Sequence, residues 1–64
     1  MALTRLNAKR IIKSAGAKRV SDTAATALAD EINRYAYSIA KKAVKLSAHA
    51  RRKTVVKADI DLAK

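Results

Sequence analysis

Thirty consecutive residues without glycine or proline, Ser21 to Ala50, constrain this chain more than any other feature. Ala25, Leu28, Ala29, Ile32, Ala36, Ile39, Ala40, Ala43, Leu46, Ser47 and Ala50 recur at i, i+3, i+4 and i+7. On a helical wheel they fall within an arc of about 120°. Asp30, Arg34, Lys41 and Lys45 lie near the opposite side. Alanine is frequent, so intrinsic propensity agrees with the pattern. Ser21 is placed to cap this helix, and Asp22 in its first turn complements the helix dipole. A helix of about 28 residues is a rod of roughly 42 Å. The rest of a 64-residue chain is too short to cover it.

The flanks predict two short helices. Thr4 caps the first, with Asn7 three residues on. Ala8, Ile11, Ile12 and Ala15 make its apolar stripe, while Arg5, Lys9, Arg10 and Lys13 make the other side basic. Leu3 and Leu6 fall off that stripe. Gly16, the single glycine, is the expected left-handed stop. A basic loop, Ala17-Lys18-Arg19-Val20, leads into the long helix, on which Asp30 and Arg34 are spaced as an i, i+4 pair. Tyr35 borders the apolar stripe and reads as core; Tyr37 lies away from it. Arg51 to Val56 breaks the period, and the β-branched run Thr54-Val55-Val56 favours an extended strand of two or three residues. Lys57 to Lys64 resumes a helical pattern through Ile60, Leu62 and Ala63. The expectation is one all-α domain over residues 1–64: short helix, loop, long helix, loop, short helix.

The two short helices supply about 18 residues, roughly 27 Å of rod, which cannot sheathe both sides of the long one. Chains of this size often need outside help to bury enough apolar surface. Disulfides and a zinc site are excluded by the absence of cysteine and the single histidine. Of the apolar residues 15 are alanine and only 14 are Leu, Ile or Val, so the core is thin. A second copy is the simplest remedy: two long helices crossed antiparallel in an isologous dimer, with no stable isolated monomer. That crossing sets the first loop of one subunit beside the second loop of the other. Val20 and Thr54-Val55-Val56 would then pair as a short bridge.

Fifteen Lys and Arg against five Asp and Glu give a net charge of +10, which implies a polyanionic partner. No apolar run approaches the 18 or so residues needed to span a bilayer. The start, Met1-Ala2-Leu3-Thr4-Arg5, has no signal-peptide core, so the expected location is the cytoplasm. A membrane-active amphipathic peptide is disfavoured by the lack of Trp and Phe anchors. A sequence-specific helix-turn-helix regulator needs a recognition helix of ordinary length. No Gly-rich phosphate loop, Cys/His cluster, carboxylate dyad or nucleophile–base pair is present, so neither an enzyme, a cofactor nor a small-molecule substrate is expected. Two tyrosines on one helix make no platform for stacking single-stranded bases. What remains is electrostatic binding to duplex phosphates.

The segments Ala15-Gly16-Ala17-Lys18-Arg19-Val20-Ser21-Asp22, Ala40 to Leu46, His49-Ala50, Arg52-Lys53-Thr54 and Asp59-Ile60-Asp61-Leu62-Ala63 closely resemble archaeal histones. The resemblance runs ungapped over nearly the whole chain. It implies an intertwined histone-fold dimer, as homodimer or with another histone, that wraps double-stranded DNA on the chromosome and assembles into larger particles. Arg10, Arg19, Lys53 and Thr54 match DNA-contact positions, with Arg19 reaching into the minor groove. Lys13 and Arg51 add cations beside them. Arg52 and Asp59 match an ion pair holding the second loop to the last helix. Leu46, His49, Asp59 and Leu62 match the contact that joins dimers. Gly16 matches a position where stacked layers approach. The family usually has glycine where this chain has Arg51, and its last helix usually continues beyond Lys64. Asp30 and Asp61 are both acidic where some relatives place opposite charges between layers, which leaves Arg34 as a partner for Asp61.

Overall fold

The computed structural model describes residues 3–64. Three helices follow one another: α1 (Arg5–Ser14), α2 (Asp22–His49) and α3 (Lys57–Ala63). The Met1-Ala2 part of the leader reading lies outside the described residues. Each boundary has a local cause. The Thr4 Oγ1 accepts from the Asn7 N–H at 3.2 Å and starts α1. The Ser21 Oγ accepts from the Ala24 N–H at 3.1 Å and starts α2.

Both α1 and α2 end in the same way. After α1, Gly16 N–H donates to the Lys13 carbonyl at 3.0 Å and Ala17 N–H to the Ile12 carbonyl at 3.3 Å. After α2, Arg51 N–H donates to Ala48 O and Arg52 N–H to Ser47 O, both at 2.9 Å. These are paired Schellman closures, which need a left-handed residue at the turn. Gly16 meets the requirement at φ +120°, and Arg51 meets it at φ +59° with a full side chain. An L-residue there costs about 1–2 kcal/mol. Arg51→Gly should recover most of that, less the extra freedom of glycine in the unfolded chain, for a net gain of about 0.5–1 kcal/mol. A thermal melt should rise by roughly 2–6 °C. The same substitution removes a cation, so duplex affinity should fall while stability rises. A melt that stays put would show that the turn carries no such strain.

The chain divides into two compact units, Met1–Arg34 and Tyr35–Lys64, with α2 continuous through both. In the first, α1 lays Ala8 on Ala25 and Ala29, with Leu3, Val20 and Leu28 packed around them. The Asn33 side chain secures the chain's start: Leu3 N–H donates to Oδ1 at 3.1 Å, and Nδ2 donates to the Leu3 carbonyl at 3.0 Å. The Lys9 Nζ pairs with Asp22 at 3.3 Å, linking α1 to the first turn of α2. Arg34 pairs with Glu31 rather than with Asp30, since the longer glutamate reaches the guanidinium from one turn away. In the second unit Ala43, Ser47, Asp59 and Ala63 are the buried residues.

The α2 stripe is therefore buried only near its ends. Ala36 and Ala40 are exposed and Ile32 and Ile39 half-buried. Among the described residues no large side chain is fully buried, while Tyr35 and Leu62 are 65% and 74% exposed. Among the described residues there is no strand: Val20 and Val55-Val56 are extended or irregular without a ladder. A β-branched run stays extended on steric grounds, but a strand also needs a neighbour for its N–H and C=O groups. No segment among the described residues supplies it.

Candidate nucleic-acid interface

The first basic segment gathers at the end of α1. Arg10 and Lys13 project from its exposed side, and Arg19 stands in the loop that the Gly16 closure turns back toward α2. All three are exposed, and none enters an ion pair. Val20, the residue after Arg19, is packed against the alanine core, so the loop is anchored immediately beside its arginine. A Cβ added at Gly16 would meet nothing within 4 Å, so glycine is demanded here by its backbone angle and not by crowding.

The second segment is more firmly built. The Arg52 guanidinium makes a two-pronged contact with Asp59, Nη1 to Oδ2 at 2.9 Å and Nη2 to Oδ1 at 2.7 Å. The Arg52 Nη1 also donates to the Thr54 carbonyl at 2.9 Å. The Ser47 hydroxyl, buried on α2, faces the carbonyls of Arg52 and Thr54 at 3.1 and 2.9 Å and shares its hydrogen between them. The Asp59 Oδ2 accepts from the Val56 N–H at 2.9 Å, which starts α3. The backbone of this loop is thus tied to α2 through Ser47 and to α3 through Asp59. The Arg52 guanidinium and the Val56 N–H hold the Asp59 carboxyl at about 2, well below its ordinary 3.8. Between these ties, Arg51, Lys53 and Thr54 keep exposed side chains outside the ion-pair network.

The expected ion pair of Arg52 with Asp59 is present. Ser47 is a residue whose role sequence reasoning missed. It sits on the apolar stripe as if it were core, and its signal is a lone hydroxyl among alanines one turn before a helix end. The residues matched to dimer joining separate into two groups. Leu46, His49 and Leu62 line one shallow groove of about 420 Å³ with Lys42, Lys45 and Ala63. Asp59 is buried and does not line it; its carboxylate is taken up by Arg52 and Val56. Asp61 pairs with Lys57 at 2.6 Å within α3, and Arg34 is already held by Glu31.

The model of the histone-like transcription factor (CBF/NF-Y) and archaeal histone family matches residues 2–63. This chain belongs to that family. It is 50% identical over 54 residues to a component of the archaeal histone HAN1 of Thermococcus zilligii, covering 84% of this chain and 81% of that protein. It is 46% identical, with the same coverage, to probable archaeal histone 3 of Methanocaldococcus jannaschii. The order of short, long and short helix is the histone fold, and the two basic segments described above are the loops of that fold. In this histone the second loop ends α2 on Arg51, where a left-handed turn would be easier for glycine.

Proposed function

We propose that this histone binds and wraps double-stranded DNA with little sequence specificity, working on the chromosome as a dimer that joins into larger particles. One observation carries the reading. The ion pairs engage Lys9, Arg34, Arg52 and Lys57, and among the cations they leave unpaired, Arg10, Lys13, Arg19, Arg51 and Lys53 are exposed together on two anchored loops and the adjoining helix. Cations held at fixed positions and free of carboxylates suit a backbone of evenly spaced phosphates. Arg19 is the side chain assigned to the minor groove, and Thr54 adds a hydroxyl donor to phosphate. The dimer is supported by the middle of the α2 stripe, where Tyr35, Ala36 and Ala40 are exposed and Ile32 and Ile39 only half-buried within the chain. Antiparallel crossing at that point brings the first loop of one subunit to the partner's second loop. Val20 and Val55-Val56 then gain the neighbour that a single chain lacks. The groove of Leu46, His49 and Leu62 is where dimers join, and Gly16 is where layers stack.

The deciding experiment is nuclease digestion of a long duplex saturated with the protein. Protected fragments of defined length, single or in regular steps, are expected from a wrapped path. A smear without any protected length would mean that the charge coats DNA without bending it, and would overturn the proposal.

A further inference from the structure

The groove on the second unit has an apolar floor and a cationic rim. Leu46, Leu62 and Ala63 give it apolar lining, and Lys42, Lys45 and His49 line it too. Among the described residues Leu62 is the most exposed large apolar side chain, at 74%. With half-buried Leu46 beside it in the groove it makes a continuous apolar surface, which suits a protein contact. Its charge then says what kind of surface fits. The second unit, Tyr35–Lys64, contains two side-chain carboxylates, Asp59 and Asp61. Both are taken: Asp59 by Arg52 at 2.7 Å and Asp61 by Lys57 at 2.6 Å. The rim lysines Lys42 and Lys45 make no ion pair among the described residues.

A two-fold contact through this groove sets a patch against its own copy. Lys42 and Lys45 would face Lys42 and Lys45, with no carboxylate lining the groove to separate them. Like charges brought together in a partly desolvated contact oppose association. Duplex DNA satisfies the rim but offers no apolar side chain to Leu46 and Leu62. A protein surface that presents a leucine- or isoleucine-sized side chain flanked by Asp or Glu satisfies both.

We infer that this groove docks an acidic, apolar-tipped protein surface in preference to a second identical groove, so that dimers of this chain join through an unlike partner. The inference rests on the dimer-joining role proposed above and names its partner chemistry. Its test needs no DNA. The Lys42→Glu/Lys45→Glu variant turns the rim acidic and leaves the floor intact. Sedimentation velocity at low salt should find wild type alone and variant alone as dimers. Their mixture should form larger species at least about 10-fold more tightly than either alone, and should return to dimers as salt is raised. Adding Leu62→Ala to both components should weaken the mixed species. A control variant, Arg5→Glu/Lys41→Glu, has the same charge change outside both the groove and the basic loops and should give no mixed assembly. Lys42→Gln/Lys45→Gln, which removes repulsion without adding acid, should self-associate more than wild type.

A mixture that stays dimeric, or a control that assembles equally well, would overturn the inference. So would wild type that already joins as tightly as the mixture. If the Lys42→Glu/Lys45→Glu variant loses far more duplex affinity than the control, the rim serves DNA and the inference fails on that ground. None of these outcomes alters the nuclease protection expected of wild type, so the wrapping proposal stands or falls separately.

Discussion

Replacing Arg19 and Lys53 together by alanine is expected to cut affinity for random-sequence duplex by about 100-fold or more at moderate salt. Each dimer loses four cations. Each neutralised phosphate contributes about 0.9 to the slope of log affinity against log salt, so the slope should flatten by about 3 to 4. The loss should be nearly the same on different sequences, because phosphate contacts carry no base information. Stability should hardly move: both side chains are exposed and outside every ion pair. Titrations of one labelled duplex at several salt concentrations, with a thermal melt alongside, measure all of this. An unchanged salt slope would remove Arg19 and Lys53 from the phosphate contacts, and with them the loop-based path for DNA.

The second large effect is expected at Asp59. Asp59→Ala strands the Arg52 guanidinium beside a vacated carboxylate position and leaves the Val56 N–H without its acceptor. Removing one member of such a network costs more than the intact pair adds. The melting temperature should fall by roughly 10 °C. Duplex affinity should fall too, because Lys53 and Thr54 lose the frame that presents them. The pH dependence follows from the direction of the shift. Asp59 titrates at about 2 in the folded chain against an ordinary 3.8. Its contribution is therefore complete above about pH 4 and is lost as pH falls toward 2. Urea midpoints across that range should drop more steeply for wild type than for Asp59→Asn. Parallel profiles would show that the Arg52–Asp59 contact does not couple folding to protonation.

These two sites were legible in the sequence to different degrees. Arg19 and Lys53 stand out by charge and by their place in breaks of the helical period. Arg52 and Asp59 lie seven residues apart across a loop, and composition alone does not single them out from other opposite charges. Their pairing came from resemblance, and the structure supplies its reason: the Arg51 turn reverses the chain so that the guanidinium meets the first turn of α3. Ser47 was hidden because its position has the periodicity of core. Asn33, likewise, reads as a polar edge residue until Leu3 is seen folded back onto it. The Asp30–Arg34 pair was a matter of spacing, and side-chain length decided for Glu31.

The sequence by itself determined the three helices, the caps at Thr4 and Ser21 and the stop at Gly16. Those follow from local terms: helix periodicity, side-chain oxygens at N-caps and a left-handed stop. Only the tertiary structure decided that Asp59 turns inward to Arg52 and Val56 while His49 stays at the groove, and that the carboxylates near the rim are already engaged. Whether a charge is spent inside the chain or offered outward depends on distances of a few ångströms across a turn. Those distances are set when the helices pack, and residue spacing along the chain does not contain them.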